Sequence, residues 1–227
     1  MNPSAPLIRL LLLALLLLPS TPALAETTDE GPRVCIQPIG KYDRKLLGKS
    51  VRGIEYLYGY RVKVLQRVDM PPEAFYKPRK RYRADKLLVF LEETVALRDD
   101  CDIAVGFTRQ DISTTKGKRK DWGIFGLGSV GGTCCVVSTH RLTRKTKDRR
   151  LMAIRTVKVV NHELGHVLGL GHCPIEGCLM ADARGTIKTV DNEPGQLCEL
   201  CHGNVTLAYG QLPEIEKVDW DELLGEE

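Results

Sequence analysis

The feature that most constrains this chain is the run of residues 162–172, which carries His162, His166 and His172. His162 and His166 are four residues apart and would lie one turn apart on the same side of an α-helix. Apolar residues recur at helical spacing along the other side, at Val157, Val160, Leu164, Val167 and Leu168. The pattern predicts a helix that packs on one face and presents two imidazoles on the other, at a spacing that suits one zinc ion.

The residues around this pair extend the predicted metal site. Gly169 favours a helix end in the left-handed conformation, so the chain can turn back and bring His172 to the same ion as a third ligand. Three protein ligands and one open position are typical of catalytic zinc. Glu163 points about 100° round the helix from His162 and is placed to act as general base. Because zinc lowers the pKa of a coordinated water to about 7, these residues predict peptide-bond hydrolysis by a zinc-activated water.

The first 25 residues have the pattern of an export signal. Arg9 precedes a leucine-rich run at residues 10–18, and small residues at Ala23 and Ala25 suit cleavage before Glu26. The run is too short to cross a bilayer. We therefore expect a signal peptide at residues 1–25, a secreted or periplasmic protein, and no membrane association once the signal is removed.

The charge pattern argues against a nucleic-acid partner. The formal net charge is +4, and the basic runs at residues 77–83, 116–120 and 141–150 alternate with apolar segments. Runs in such positions are typical of solvated loops. We expect a peptide or protein substrate as the partner and no nucleic acid.

Strand and helix patterns alternate through the first half of the chain, which favours a sheet covered by helices. The fold class is predicted as α+β with an α/β-like order. Strands are predicted at residues 33–37, 61–68 and 101–107, helices at 43–57, 85–97 and 149–168, a hairpin at 122–138 around Gly131 and Gly132, and a short helix at about 193–208. One catalytic domain is expected at residues 26–227, with an upper subdomain at 26–169 and a lower one at 170–227.

The run at residues 162–172 has every fixed position of the metzincin zinc motif. Met180 follows eight residues later, where metzincins have their Met-turn. Cysteines follow His172 with C-x4-C and C-x2-C spacing, at Cys173, Cys178, Cys198 and Cys201. With these residues the chain resembles the archaemetzincin family of the metzincin clan.

The resemblance implies a metzincin-like twisted mixed sheet with helices, an active-site helix, and a small irregular, cysteine-rich C-terminal subdomain. It implies that Met180 packs beneath the catalytic zinc and that an extended substrate lies antiparallel to an edge strand at about residues 124–130. It also implies a structural zinc bound by Cys173, Cys178, Cys198 and Cys201, and therefore two zinc ions per chain.

Three questions stay open at the level of sequence. In an oxidising compartment the four family cysteines could form disulfides, although their spacings favour zinc. Cys35, Cys101, Cys134 and Cys135 could form one or two disulfides or remain buried thiols, and Cys134 and Cys135 should point to opposite faces of a strand. The alternative function is a non-catalytic zinc-containing binding or scaffold protein, or one that stores zinc.

Overall fold

The structure is a computed structural model that describes residues 31–225, so the predicted signal peptide lies outside the described residues. Within this range no helix has the length and apolar character needed to cross a membrane. The strands are β1 (Val34–Pro38), β2 (Val62–Val64), β3 (Phe75–Tyr76), β4 (Arg81–Arg83), β5 (Ile103–Thr108), β6 (Ile112–Lys116), β7 (Arg119–Ile124), β8 (Gly126–Gly128) and β9 (Cys134–Ser138). The helices are α1 (Arg44–Tyr58), α2 (Ala84–Thr94), α3 (Thr139–Leu142), α4 (Arg149–Val167), α5 (Ile187–Asn192), α6 (Glu199–Tyr209) and α7 (Trp220–Leu224).

A five-stranded sheet in the order β2-β1-β5-β9-β8 forms the centre of the described residues. Its first four strands are parallel, and β8 pairs antiparallel with β9 at the edge. The strands β1, β5 and β9 are buried at every residue, as their continuous apolar runs favour when helices cover both faces of a sheet. Together with a second sheet and the helices, this arrangement confirms the predicted α+β class.

Helices α1 and α4 pack against one face of the sheet, and α2 packs against the other. Aspartates cap the two helices of the first face. The side chain of Asp43 accepts hydrogen bonds from the N–H groups of Lys45 and Leu46, and that of Asp148 accepts one from Leu151. These caps satisfy N–H groups that the first turn of a helix leaves unpaired.

The four additional cysteines divide into two classes. Cys35 in β1 and Cys101 just before β5 form a disulfide. Cys134 and Cys135 are buried free thiols, and they belong to the hydrophobic cores on opposite faces of the sheet. Their orientation agrees with the prediction from strand geometry.

A second sheet, in the order β3-β4-β6-β7, was not predicted. Strands β6 and β7 form an antiparallel hairpin. The basic run at residues 116–120, interpreted as a solvated loop, forms the end of β6, the turn of this hairpin and the first part of β7. The hairpin was missed because the charged residues of this segment hide the alternation of a strand, although Thr114 pairs with Trp122 and Lys116 with Arg119 across the two strands.

Several predicted boundaries were also wrong. The strand expected at residues 61–68 covers only Val62–Val64, and the helix expected at residues 85–97 ends at Thr94. The hairpin expected at residues 122–138 is formed by β8 and β9, whereas Trp122 belongs to β7. The short helix expected at about residues 193–208 begins only at Glu199, because Pro194 and Gly195 separate it from α5. The chain after Gly169 is largely irregular but contributes Leu179, Leu197 and other apolar residues to the core beneath α4.

Candidate active site

Helix α4 carries the predicted site and is buried on nearly all sides. The apolar stripe predicted from the sequence packs into the core, but the opposite face is also covered. Lys158 is only 4% exposed and Asn161 only 2% exposed, and the side-chain amide of Asn161 donates to the carbonyl oxygen of Gly53 at 3.1 Å. Arg155 forms two hydrogen bonds with Asp191, at 2.6 and 2.7 Å. The helix is thus held from both sides, and the backbone positions of the histidines it carries are fixed.

The structure brings the three predicted histidines together. The ring centroids of His162 and His166 are 4.7 Å apart, and His172 lies 5.5 Å from the first and 4.9 Å from the second. One ring nitrogen from each lies within 4.8 Å of the others. His172 is exposed, whereas His166 is buried. Gly169, at φ +90°, lies at the turn between the helix and His172, as predicted.

Backbone carbonyl groups orient the two helical histidines. The Nδ1 atom of His162 lies 2.8 Å from the carbonyl oxygen of Leu179, and that of His166 lies 2.7 Å from that of Leu170. A carbonyl can only accept, so Nδ1 carries the proton in both rings and Nε2 is left with a lone pair for a metal. Burial lowers the pKa of His162 to about 4 and also lowers the pKa of His166. Both imidazoles are therefore held in the neutral form that binds metal.

Glu163 is buried between α4 and the edge strand β8. It is 7% exposed, and burial raises the pKa of its carboxyl group to about 8, while a hydrogen bond from the backbone of Gly128 acts in the opposite direction. A Cβ atom at Gly126 would lie 2.6 Å from Oε1 of Glu163, and one at Gly128 would lie 2.6 Å from its backbone oxygen. Strand β8 can approach the helix this closely only because both residues are glycines.

Met180 lies directly beneath the histidine helix and is fully buried. A Cβ atom at Gly165 would come within 2.4 Å of its sulfur atom. Glycine at this position of α4 thus lets the methionine reach the backbone between His162 and His166. The contact agrees with the packing role that the resemblance implied for Met180.

The four family cysteines also converge, without forming disulfides. The sulfur atoms of Cys173 and Cys198 are 3.8 Å apart, and those of Cys178 and Cys201 are 3.7 Å apart. All four lie within 4.8 Å of one another. A tetrahedral zinc site with Zn–S bonds of about 2.3 Å requires sulfur atoms about 3.8 Å apart. The cluster therefore has the dimensions of a closed zinc site.

A cavity of about 440 Å³ lies over the histidines. Strand β8 forms one wall, and the segment that follows Met180 forms another. The hairpin β6–β7 closes one end with Thr114, Lys116 and Trp122, and Lys158 and Glu193 also line the cavity.

Sequence reasoning missed several parts of this site. The carbonyl groups of Leu170 and Leu179 carry no side-chain signal, so no sequence pattern could have identified them. Trp122 and Lys116 lie far from the zinc motif in the chain and reach the cavity only through the unpredicted hairpin. Gly126 and Gly128 could have been noticed, because two glycines in a predicted edge strand often mark a close backbone approach.

Comparisons with known proteins point in the same direction as the geometry. Residues 43–206 match peptidase family M54. The archaemetzincin of Halobacterium salinarum is 30% identical over 182 residues, which cover 76% of this chain and 99% of the relative. Crystal structures of archaemetzincins from Methanopyrus kandleri and, complexed with malonate, from Archaeoglobus fulgidus superpose with TM-scores of 0.68 and 0.64 at 27% identity. They cover 81% and 76% of this chain and 98% and 99% of their own chains, which confirms the predicted fold.

Proposed function

Because the chain belongs to peptidase family M54, the archaemetzincins, and is a zinc metallopeptidase, we propose that it hydrolyses peptide bonds by attack of a zinc-activated water, with Glu163 as the general base. The observation that carries this proposal is that the Glu163 carboxyl group, packed against β8, lines the same cavity as the three converging imidazoles.

His162, His166 and His172 are the proposed ligands of the catalytic zinc. Their convergence, and the hydrogen bonds that leave Nε2 of His162 and His166 free, fit a three-histidine site. When bound, zinc lowers the pKa of a water molecule and polarises the carbonyl group of the substrate.

Glu163 would accept a proton from the attacking water and deliver it to the leaving amine. Its burial raises its pKa and so makes the carboxylate a stronger base, and the charge of a bound cation would oppose that shift and favour the ionised form. The close packing of Gly126 and Gly128 on Glu163 fixes the carboxyl group without a bulky neighbour.

The substrate is proposed to bind as an extended strand along β8. This strand pairs with β9 on one side, and Gly126, Leu127 and Gly128 line the cavity. An edge strand of this kind offers N–H and C=O groups to an added strand. The antiparallel direction follows from the resemblance to metzincins.

A second, structural zinc is proposed at Cys173, Cys178, Cys198 and Cys201, which makes two zinc ions per chain. The sulfur separations of 3.7 and 3.8 Å support it. The backbone N–H groups of Met180 and Cys198 also point at the sulfur of Cys178, at 3.4 and 3.5 Å, and such hydrogen bonds stabilise a thiolate ligand. Four thiolates leave no open position for chemistry.

We also propose a signal peptide at residues 1–25, a secreted or periplasmic location, and one catalytic domain divided near Gly169. The disulfide between Cys35 and Cys101 supports an oxidising compartment. The core shared by both sides of the cleft supports a single domain.

The test is cleavage of a peptide library by the zinc-loaded protein, read by mass spectrometry beside Glu163→Gln. The variant should lose at least about 100-fold in rate, because the general base is removed, and should keep both zinc ions. Glu93→Gln, at an exposed position of α2, serves as the matched control and should cleave normally. Loss of zinc in Glu163→Gln would instead make Glu163 a ligand. A folded, zinc-loaded protein that cleaves nothing would favour the non-catalytic alternative.

A further inference from the structure

The hairpin β6–β7 and the segment after Met180 together bring four cations to one end of the cleft. Lys116, Lys118, Arg119 and Arg184 surround Trp122 in a hollow beside the main cavity. Lys116 and Trp122 line both the hollow and the cavity. We call the four cations the cationic rim.

The rim is held together by contacts across the cleft. The guanidinium carbon of Arg119 lies 4.6 Å from the centre of the Trp122 ring, a cation–π contact. From the other side, Gly185 approaches the same ring so closely that a Cβ atom there would lie 2.8 Å from it. Arg184, at φ +49°, and Gly185, at φ +72°, form the turn that makes this approach. Trp122 thus joins the hairpin to the segment after Met180.

The cations of the rim are not matched by acidic partners. Within residues 31–225, none of the four forms an ion pair. By contrast, the arginines of β4 in the same sheet form ion pairs. Arg81 contacts Asp111 and Asp121, and Arg83 contacts Asp85.

Asp182 is the acidic group near the rim. It accepts a hydrogen bond from the backbone N–H of Arg184 at 2.8 Å and lies close enough to His172, Lys116 and Arg184 to interact with their charges. The hollow itself is lined by no acidic residue among residues 31–225, so the single charge of nearby Asp182 leaves positive charge at this end of the cleft.

We propose that the cationic rim binds carboxylate groups of the substrate on the C-terminal side of the scissile bond, so that the enzyme prefers acidic peptides. The direction in which the substrate runs along β8 rests on the proposed function. A strand antiparallel to β8 places its C-terminal residues where β8 begins, and β7 with Trp122 leads into that end. Unpaired cations at the mouth of a cleft attract anionic ligands and speed their association.

The test measures binding without turnover, by fluorescence anisotropy on the zinc-loaded Glu163→Gln protein. The probes are labelled ten-residue peptides of one backbone sequence. One carries two glutamates in its C-terminal half and an amidated end, one has glutamines there and a free C-terminal carboxylate, and one has glutamines and an amidated end. The first should bind about tenfold more tightly than the third at low ionic strength, and the difference should shrink near 0.5 M salt. Comparison of the second peptide with the first and third shows whether the rim binds side-chain carboxylates or a terminal carboxylate.

The charge-removal variant Lys118→Gln/Arg184→Gln should reduce the preference for the acidic peptide to within about twofold. The matched control is Arg44→Gln/Lys45→Gln, which removes the same charges at exposed positions of α1 outside the cleft and should keep the preference. Equal binding of the acidic and fully neutral peptides, or a preference that survives in the rim variant, would overturn the inference.

The outcome is separable from that of the proposed function. If the rim-dependent preference is found but the unsubstituted protein cleaves none of the peptides, the binding of carboxylates by the rim stands and the proposed hydrolysis is wrong. If the peptides are cleaved without any preference for acidic residues, the hydrolysis stands and the inference is wrong.

Discussion

Among single residues, Gly165 shows how closely the helix of the zinc motif packs against Met180. The sulfur of Met180 occupies the space where a side chain at this position would begin. Gly165→Ala should lower the free energy of unfolding by about 1–3 kcal/mol and weaken zinc binding at the histidines, because Met180 must move.

The control for this substitution is Gly48→Ala in α1, where a Cβ atom would meet nothing within 4 Å. Alanine at this exposed position should stabilise the helix by about 0.5–1 kcal/mol. Thermal melts and zinc titrations of both variants are the measurement. Equal effects of the two substitutions would show that helix propensity, and not contact with Met180, decides at Gly165.

Glu193 gives a pH-dependent prediction. Burial raises its pKa from an ordinary value near 4.5 to about 7, although Lys158 and the N–H of Gly195 act in the opposite direction. The native state therefore binds a proton more readily than the unfolded chain. The stability that this group contributes is fully present below about pH 4.5 and is lost as the pH rises through about 7.

Glu193→Gln should remove this dependence, since the amide does not ionise. The variant should gain stability relative to the unsubstituted protein between pH 5 and pH 8, with an upper limit of about 3 kcal/mol at about 1.4 kcal/mol per pKa unit. Melting temperatures across that range, with Glu93→Gln as control, are the measurement. A constant difference between variant and unsubstituted protein would contradict the assigned pKa.

Among the elements, the irregular segment after Gly169 depends most on the cysteine cluster. Cys173 and Cys178 lie in a stretch without helix or strand, and Cys198 and Cys201 lie at the start of α6. Cys198→Ser should reduce the zinc content from two ions to one and lower the melting temperature, because the metal links these two parts of the chain.

Cys134→Ala is the control, since this buried thiol lies in the core on the other side of the central sheet. It should keep both zinc ions and cost at most about 1–2 kcal/mol. Elemental analysis and thermal melts distinguish the two variants. An unchanged metal content in Cys198→Ser would argue against a structural zinc.

For the whole molecule, the disulfide between Cys35 and Cys101, which are 66 residues apart in the chain, connects the beginnings of two central strands. Closing a loop of this length should stabilise the fold by about 4 kcal/mol in the chain-entropy description. Cys35→Ala/Cys101→Ala should therefore melt at a lower temperature but keep both zinc ions, because the pair lies away from the histidines and the cysteine cluster.

The same disulfide makes the proposed export testable. Protein recovered from its native host should begin near Glu26 by N-terminal sequencing and should contain the bridge. Leu16→Arg, which interrupts the apolar run of the leader, should leave the chain uncleaved and both cysteines reduced. A mature protein that begins at Met1 would refute the signal peptide.

The proposed metal sites and the family could be read from the chain because their determinants are close in sequence. Helical geometry relates His162 to His166, Gly169 permits the turn to His172, and the paired cysteine spacings bring two thiolates from each side to one point. The alternation of apolar and polar runs likewise predicted the central sheet and its helices, since local periodicity reflects which face is buried.

The remaining features arise from contacts between distant segments. The pairing of Cys35 with Cys101 depends on β1 lying beside β5, and the position of Trp122 over the cavity depends on a hairpin whose charged residues hide its strand pattern. The burial of Glu163 comes from β8. The neutral state of His162 comes from its burial, whereas the carbonyl of Leu179 fixes which ring nitrogen carries the proton. Packing sets these properties, because the environment of a side chain is formed by groups that share no local spacing with it.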